Sequence, residues 1–238
     1  MAAQGTARMG WTESLVNVAI RLATGLACRV DAGQLRRVPS SGPLILVANH
    51  VNFLEAPLVF VRLRPRPVTG FAKAEWWDNR WIARLFNLWG AIPLRRGEGD
   101  VDAFRKALHA LEHGRIMALA PEGTRSGTGR LRRGQPGTAM LALRSGSPIL
   151  PLAFFGYESL WHNLKRLRRT DFHVAIGRPF RVRPVDGRVT GEIRQAIADE
   201  IMIQIAKLLP ERYRGEYADL PRATPFHLQF LPELAGGP

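Results

Sequence analysis

Residues 44–55 read Leu-Ile-Leu-Val-Ala-Asn-His-Val-Asn-Phe-Leu-Glu. The first five residues form a continuous apolar run of the length expected for a strand buried on both faces. The run ends in Asn49 and His50, and the carboxylate of Glu55 follows five residues after the histidine. In open α/β sheets the ligand site lies beyond the carboxyl ends of the strands. This stretch therefore predicts a central strand with functional side chains at its carboxyl end.

Similar apolar runs recur along the chain and alternate with segments of helical periodicity. Alternation of this kind favours an α/β domain with a mainly parallel central sheet flanked by helices. The other predicted strands cover residues 116–120, 149–155 and 172–176. The predicted helices cover residues 78–88, 103–111, 137–144 and 192–209, and Gly114 and Gly146 mark where two of them stop.

The composition is that of a globular protein with a strongly basic surface. The chain has 238 residues, of which 46% are hydrophobic, and a formal net charge of +14. Its single cysteine, Cys28, excludes an intramolecular disulfide framework and a cysteine-based zinc site. The positive charge indicates an anionic partner, namely a nucleic acid, an anionic membrane or a phosphorylated substrate, with simple solubility as the alternative.

The N-terminal segment 11–30 is apolar but not a plausible membrane span. It is interrupted by polar and charged residues at positions 13, 17, 21 and 29, whereas a span needs about 20 mostly apolar residues. On a helical wheel one face collects Leu15, Val18, Ala19, Leu22 and Leu26. Such an amphipathic helix can lie on a bilayer or cover a core. We expect residues 1–35 to form a membrane-apposed helical segment and residues 36–238 to form the catalytic domain.

His50 and Glu55 admit two interpretations. If His50 lies in the loop and a helix starts near Asn52, the Glu55 carboxylate can reach back and orient the imidazole of a general base. Five positions on one continuous helix would instead differ by about 140° and separate the two side chains. Asn52 and Glu55 also have the spacing of a capping box, which would explain the carboxylate without catalysis.

Three further stretches are notable at the ends of apolar runs. Residues 121–126 read Pro-Glu-Gly-Thr-Arg-Ser, in which Pro and Gly favour a tight turn and Arg125 offers a guanidinium suited to phosphate. Residues 90–97 read Gly-Ala-Ile-Pro-Leu-Arg-Arg-Gly, and residues 147–152 form a run bracketed by prolines. Each stretch alone is also compatible with an ordinary surface loop or strand.

Taken in order, these four stretches resemble the four motif blocks of the 1-acyl-sn-glycerol-3-phosphate acyltransferase family. The resemblance covers roughly residues 40–215, because Gly134-Gln-Pro-Gly137 and the stretch 209–215 also fit. Three positions depart from the family pattern: Glu55 replaces the usual Asp, Ala120 the usual Phe, and Arg95 stands where many relatives have Asp. These changes bear more on the identity of the acceptor than on acyl transfer.

The resemblance implies an enzyme in which His50 is the general base that deprotonates the acceptor hydroxyl and Glu55 holds His50. It implies that the acceptor phosphate is bound by Arg96, Arg125 and Lys73, in a pocket shaped by Asn49, Glu122, Gly123 and Thr124. The donor would be an acyl-CoA or an acyl-carrier-protein thioester, and the acceptor a lysophospholipid such as lysophosphatidic acid. The family needs no metal or other cofactor. The alternative acceptors are glycerol 3-phosphate and a non-phosphorylated lyso-lipid.

The resemblance also implies a peripheral enzyme at the cytoplasmic face of the cell membrane. Four of the six tryptophans fall between Trp76 and Trp89, interleaved with Arg80 and Arg84, as suits a bilayer interface. A buried helical stripe of Trp81, Leu85 and Trp89 is the alternative. The basic run 165–169 is expected at the surface. No common nucleic-acid-binding module is present, so a non-catalytic protein that binds membrane or nucleic acid is the remaining alternative of another class.

Overall fold

The computed structural model describes residues 11–95, 97, 99–220 and 225–232. Within these ranges the helices are α1 (Trp11–Ala27), α2 (Glu55–Arg62), α3 (Arg80–Leu88), α4 (Val101–Glu112), α5 (Gly137–Ser145), α6 (Leu160–Lys165) and α7 (Gly191–Ala206). The strands are β1 (Cys28–Asp31), β2 (Leu44–Ala48), β3 (Val68–Lys73), β4 (Ile92–Leu94), β5 (Ile116–Leu119), β6 (Ile149–Phe155), β7 (Thr170–Ile176), β8 (Phe180–Val182) and β9 (Leu228–Phe230).

The strands of the described chain form one sheet in the order β1-β7-β6-β2-β5-β3-β4, and β8 and β9 extend it from β6. The pairs β1–β7, β2–β6, β2–β5, β3–β5 and β3–β4 are parallel. Only β6–β7, β6–β8 and β8–β9 are antiparallel. The predicted α/β fold with a mainly parallel sheet is therefore confirmed.

Strand β2 has neighbours on both edges and a core on both faces. Ile45 and Val47 face a core that contains residues of α4, α5 and α7. Leu44 and Leu46 face a second core, which contains residues of α2 and the aromatic ring of Trp89. Side chains alternate along a strand, so two covered faces require an unbroken apolar sequence. This explains the run that ends at Ala48.

Several predicted boundaries match the structure closely. The strands at 44–48 and 149–155 have the expected limits, and α5 ends at Gly146, which has a φ of +59° and caps the helix in the left-handed region. Helix α3 begins two residues later than predicted. The reason is Asn79, whose side chain accepts hydrogen bonds from the N–H groups of Trp81 and Ile82 and so fixes the first turn.

The N-terminal helix ends at Ala27, earlier than the apolar stretch 11–30 suggests. Residues 28–31 form β1, which pairs in parallel with β7 at the edge of the sheet. Along β1 the side chain of Cys28 is buried while those of Arg29 and Asp31 are exposed, which is the alternation of an edge strand. The division of the chain at residues 35 and 36 stays a prediction.

Helix α1 packs with its polar side inward. The Asn17 side-chain oxygen accepts a hydrogen bond from the indole N–H of Trp89 at 3.4 Å, and Thr24 accepts one from the guanidinium of Arg62 at 3.4 Å. Both Asn17 and Thr24 are buried. Five large apolar side chains of the helix are exposed, namely Trp11, Leu15, Val18, Leu22 and Leu26, whereas Ile20 packs against the second core. Of the described helices, none has the length and apolar character that crossing a bilayer requires.

Candidate active site

The loop that follows β2 is attached to the loop that follows β5 through the main chain of His50. The His50 N–H donates to Oε1 of Glu122 at 2.9 Å, and the His50 carbonyl accepts from the N–H of Ser126 at 2.7 Å. Strands β2 and β5 are parallel neighbours, so their carboxyl ends lie at the same edge of the sheet. The structure thus brings the first and third motif blocks together at the predicted edge.

Asn49 attaches the same loop to the strand on the other side. Its amide nitrogen donates to the Phe154 carbonyl at 2.8 Å, and its amide oxygen accepts from the Phe154 N–H at 2.8 Å. Asn49 is buried, and it occupies the position at which β2 leaves the sheet. The side chain therefore continues the hydrogen bonding between β2 and β6 for one more residue and fixes where His50 begins.

His50 and Glu55 lie together, which is one of the arrangements that their spacing allowed. Nδ1 of His50 is 3.3 Å from Oε2 of Glu55, and the imidazole is 27% exposed while the carboxylate is nearly buried. Helix α2 begins at Glu55 itself. His50 therefore remains in the loop, and the first turn of the helix directs the carboxylate back toward the ring.

The other carboxylate oxygen of Glu55, Oε1, forms the kind of backbone hydrogen bond that the capping interpretation predicts. Oε1 accepts from the N–H groups of Val51 and Asn52, at 2.8 and 2.9 Å. In a full capping box the Asn52 side chain would accept from the N–H of Glu55. Here its oxygen accepts from the N–H of Leu54 at 2.8 Å instead. One carboxylate thus serves both functions, with Oε1 holding the loop backbone and Oε2 facing His50.

Tyr157 is a site residue that the sequence analysis missed. Its hydroxyl donates a hydrogen bond to Oε1 of Glu55, and its ring stacks on Phe172 with centroids 4.2 Å apart. Burial, together with the Glu55 charge, raises the pKa of Tyr157 far above its ordinary value, so the hydroxyl stays a donor. The available signal was topological. Tyr157 follows β6 by two residues, and the carboxyl end of β6 adjoins that of β2.

Glu122 connects the loop of His50 to the loop of Arg132 through hydrogen bonds to both backbones. Oε1 binds the N–H of His50, and Oε2 accepts from the N–H of Arg132 at 2.9 Å. Burial raises the pKa of Glu122, and the two backbone donors act in the opposite direction. Gly123 allows the turn with a φ of +71°, and Thr124 beside it is half-buried. These two residues line the turn next to His50, in keeping with a pocket-shaping role, which stays a prediction.

The cationic residues assigned to phosphate binding have different settings. Arg125 is exposed at the tip of the turn and forms no ion pair with the described residues. Lys73 ends β3 and lies 2.9 Å from the Glu75 carboxylate. Arg96 lies outside the described residues. Lys73 pairs in register with Leu94 on β4, two residues before Arg96. The predicted convergence of these cations on one phosphate stays a prediction.

A histidine next to a buried carboxylate, at the carboxyl edge of a mainly parallel sheet, is an arrangement that can perform acid–base chemistry. The sequence model described as Acyltransferase matches residues 29–155, more than half of the chain. The chain belongs to the Acyltransferase family. The resemblance seen in the four motif blocks is thereby confirmed.

Curated relatives carry related names. A chloroplastic 1-acyl-sn-glycerol-3-phosphate acyltransferase of Brassica napus is 26% identical over 73% of this chain and 51% of the relative. A Bacillus subtilis enzyme of the same name is 22% identical over 59% of this chain and 70% of the relative. A lyso-ornithine lipid O-acyltransferase of Pseudomonas aeruginosa is 28% identical over 65% of this chain and 66% of the relative. The chain thus spans only about half the length of the Brassica relative.

A solved structure has the same fold. The crystal structure of the 1-acyl-sn-glycerophosphate acyltransferase PlsC from Thermotoga maritima superposes with a TM-score of 0.55 over 79% of this chain and 76% of the other. The two sequences are 21% identical over that match. The structural likeness extends beyond residues 29–155 and so supports one continuous α/β unit.

Asn49→Ala tests whether the Asn49 side chain fixes the loop. The substitution leaves the buried N–H and carbonyl of Phe154 without partners, at a cost of about 1–3 kcal/mol for each group. We expect the free energy of unfolding, measured by urea denaturation, to fall by more than about 2 kcal/mol. Asn87→Ala is the matched control, because it removes a single exposed bond to Trp77. Equal effects of the two substitutions would contradict the role of Asn49.

Proposed function

We propose that this protein transfers a fatty acyl group from a thioester donor to the free hydroxyl of a lysophosphatidic-acid-like acceptor, as a step of phospholipid biosynthesis. The observation that carries the proposal is the 3.3 Å approach of His50 Nδ1 to Glu55 Oε2 at the carboxyl edge of the sheet. Family membership and the names of the relatives support acyl transfer as the reaction. The donor is an acyl-CoA or an acyl-carrier-protein thioester.

His50 is the general base of the proposed reaction. In the proposed tautomer the proton is on Nδ1, the ring nitrogen next to Glu55, and Nε2 is the proton acceptor. Nε2 takes the proton of the acceptor hydroxyl as the oxygen forms its bond to the thioester carbonyl carbon. The carbon–sulfur bond then breaks, and the imidazolium returns the proton to the departing thiolate. General-base catalysis of this kind contributes typically 10²- to 10⁴-fold.

Glu55 stabilises the imidazolium, and its neighbours stabilise Glu55. A buried carboxylate costs free energy unless its oxygens are hydrogen-bonded. Here Oε1 has three donors, the N–H groups of Val51 and Asn52 and the hydroxyl of Tyr157. Because Oε1 is fully occupied, Oε2 remains for His50. Tyr157 is therefore a positioning residue, which acts on the reaction through Glu55.

Arg125 binds the acceptor phosphate in this proposal, with Lys73 and Arg96 as further cations. The exposed guanidinium of Arg125 is three positions past Glu122, which braces His50. A guanidinium presents paired N–H groups that match the oxygens of a phosphate monoester. Lys73 is already paired with Glu75, so its contribution requires that pair to rearrange.

A second acceptor has specific support. The Pseudomonas relative that is named for lyso-ornithine lipid matches a similar share of this chain and is slightly more identical than the Brassica and Bacillus relatives. The proposed chemistry at His50 is the same for both acceptors, since each supplies a hydroxyl. The two acceptors differ in the group that the cationic loop must bind, so the choice depends on Arg125 and its neighbours.

The proposed setting is an anionic membrane surface, approached from the cytoplasmic side. The exposed apolar face of α1 and the net charge of +14 both support it. In the tryptophan-rich region, Trp81 is 69% exposed between Arg80 and Arg84, whose guanidinium carbons lie 5.9 and 5.0 Å from its ring centre. Trp89 is buried. The buried-stripe interpretation therefore holds for Trp89 and fails for Trp81.

His50→Ala tests the proposed base. We expect turnover with acyl-CoA and lysophosphatidic acid to fall about 10²- to 10⁴-fold, with the melting temperature nearly unchanged because His50 is partly exposed. His113→Ala is the control, since His113 is an exposed histidine at the end of α4. Glu55→Gln should also lose activity, because an amide N–H₂ facing Nδ1–H repels it. Near-normal turnover in folded His50→Ala would remove this residue from the mechanism.

Tyr157→Phe tests the positioning role. The variant keeps the ring on Phe172 and removes one hydrogen bond to a carboxylate, worth about 1.5–3 kcal/mol. We expect kcat to fall about tenfold or more, with KM values for both substrates unchanged. The control is Tyr217→Phe, which removes a partly buried bond to Asp199 at 2.7 Å and a bond from the N–H of Gly134 at 3.0 Å. If both variants lose stability and neither loses kcat, Tyr157 is a structural residue only.

Arg125→Ala tests the acceptor. With lysophosphatidic acid the acceptor KM should rise about 10- to 100-fold, because a charge-assisted bond worth about 1.5–3 kcal/mol is lost. Arg125→Lys should restore it only in part, since lysine keeps the charge without the paired N–H groups. Arg105→Ala, which removes an exposed cation of α4, is the control. A wild-type preference for lyso-ornithine lipid over lysophosphatidic acid would establish the second acceptor and reject the phosphate assignment.

A further inference from the structure

The segment from Trp161 to Arg169, called the tip below, covers most of α6 and the turn that leads to β7, and it carries exposed apolar side chains. Leu167 is 95% exposed and Trp161 is 58% exposed. Leu164 between them is 42% exposed. Scattered exposed leucines are common on protein surfaces, whereas a contiguous exposed apolar group marks an interaction site.

The backbone of Leu167 strengthens this observation. Its φ is +54°, in the left-handed region that favours glycine, and it is the only non-glycine residue of the described chain with a positive φ. The turn is nonetheless well defined. The N–H of Leu167 donates to the Leu164 carbonyl at 3.0 Å, and that of Arg168 donates to the Asn163 carbonyl at 2.9 Å. The side chain of Leu167 therefore gains almost no burial within the described protein to offset the backbone strain.

Basic residues surround this apolar tip. Lys165, Arg166, Arg168 and Arg169 are all exposed. The first three form no ion pair with described residues. Positively charged side chains next to exposed Trp and Leu are the combination that binds an anionic bilayer, in which lysine and arginine remain among the headgroups while the apolar groups insert.

The tip contacts two other parts of the described protein, the end of α1 and the side chain of Phe53. Arg169 donates to the carbonyls of Gly25 and Cys28 at 2.7 and 2.9 Å, at the end of α1. Trp161 lies 5.8 Å from the ring of Phe53, centroid to centroid. Phe53 is 47% exposed and belongs to the loop between His50 and Glu55. The tip therefore lies between the C-terminal end of α1 and the loop that carries His50.

We propose that the Trp161–Arg169 tip inserts into anionic bilayers as a second membrane anchor, and that it holds the His50 loop against the lipid surface. The second part of this inference rests on the proposed function. An acceptor that resides in the bilayer would reach His50 without leaving the bilayer. The anchoring itself depends only on the exposed side chains and charges. A protein or nucleic acid partner is the competing occupant.

A labelled cysteine locates the anchor directly. The only natural cysteine, Cys28, is buried and burial raises its pKa, so Leu167→Cys can be labelled selectively with a polarity-sensitive fluorophore. The probe should report an apolar environment on vesicles of one part phosphatidylglycerol and two parts phosphatidylcholine, without donor or acceptor. The control is Phe226→Cys, because Phe226 is also highly exposed, at 77%, but adjoins β9, whose Leu228 belongs to the core on the other face of the sheet. An unchanged Leu167 probe would overturn the proposal and assign the tip to another partner.

Leu167→Gly provides the second measurement. Glycine relieves the positive φ, so the melting temperature should stay the same or rise. Binding to the same vesicles in a sedimentation assay should weaken about tenfold, since a leucine side chain no longer inserts. Unchanged binding would overturn the anchor. Phe226→Ala should bind as the wild type does.

Activity assays separate this proposal from the proposed function. Leu167→Gly should acylate a short-chain, water-soluble lysophosphatidic acid at the wild-type rate and a bilayer-embedded one several-fold more slowly. If the wild type binds vesicles and inserts the probe but transfers no acyl group, the proposed function fails while the anchor stands. If transfer is normal and Leu167→Gly uses both acceptors like the wild type, the anchor fails alone.

Discussion

Strand β2 is paired along both edges and covered on both faces, so none of its five residues can present a functional group to solvent. Buried backbone N–H and carbonyl groups need partners, and here β5 and β6 supply them. Polar side chains can therefore reach a ligand only beyond the residue at which this strand pairing ends. Asn49 marks that point, because its side chain imitates one more residue of strand pairing with Phe154. The position of His50 follows from this constraint, and the positions of Glu55 and Glu122 follow from His50.

The two carboxylates next to His50 illustrate how buried charge is used here. Glu122 gives both of its oxygens to backbone N–H groups of two loops. Glu55 gives only one oxygen to the backbone and retains the other for the imidazole. The first arrangement connects two loops, and the second leaves one carboxylate oxygen facing the imidazole of His50. The same residue type thus has different functions because the number of available donors differs.

Much of the fold could be predicted because its signals are local. The unbroken apolar runs reflect strands with two covered faces, and Gly146 reflects a left-handed helix end. The spacing of His50 and Glu55 allowed their pairing without deciding it, because the outcome depends on where α2 begins. Tyr157 could not, because it is distant in sequence and reaches Glu55 only through the adjacency of β2 and β6. The outward orientation of the α1 apolar face was equally inaccessible, since periodicity identifies an amphipathic face without saying what covers it.

The outward apolar face of α1 has a consequence for how the protein behaves in free solution. Five large apolar side chains on one helix favour association between molecules, while a net charge of +14 keeps the molecules apart. Added salt shortens the range of the repulsion, to about 8 Å at physiological ionic strength, and leaves the apolar attraction in place. The protein should therefore aggregate more readily as salt is added. Many globular proteins show the opposite behaviour and become more soluble with moderate salt. Detergent, which covers the apolar face, should prevent this aggregation.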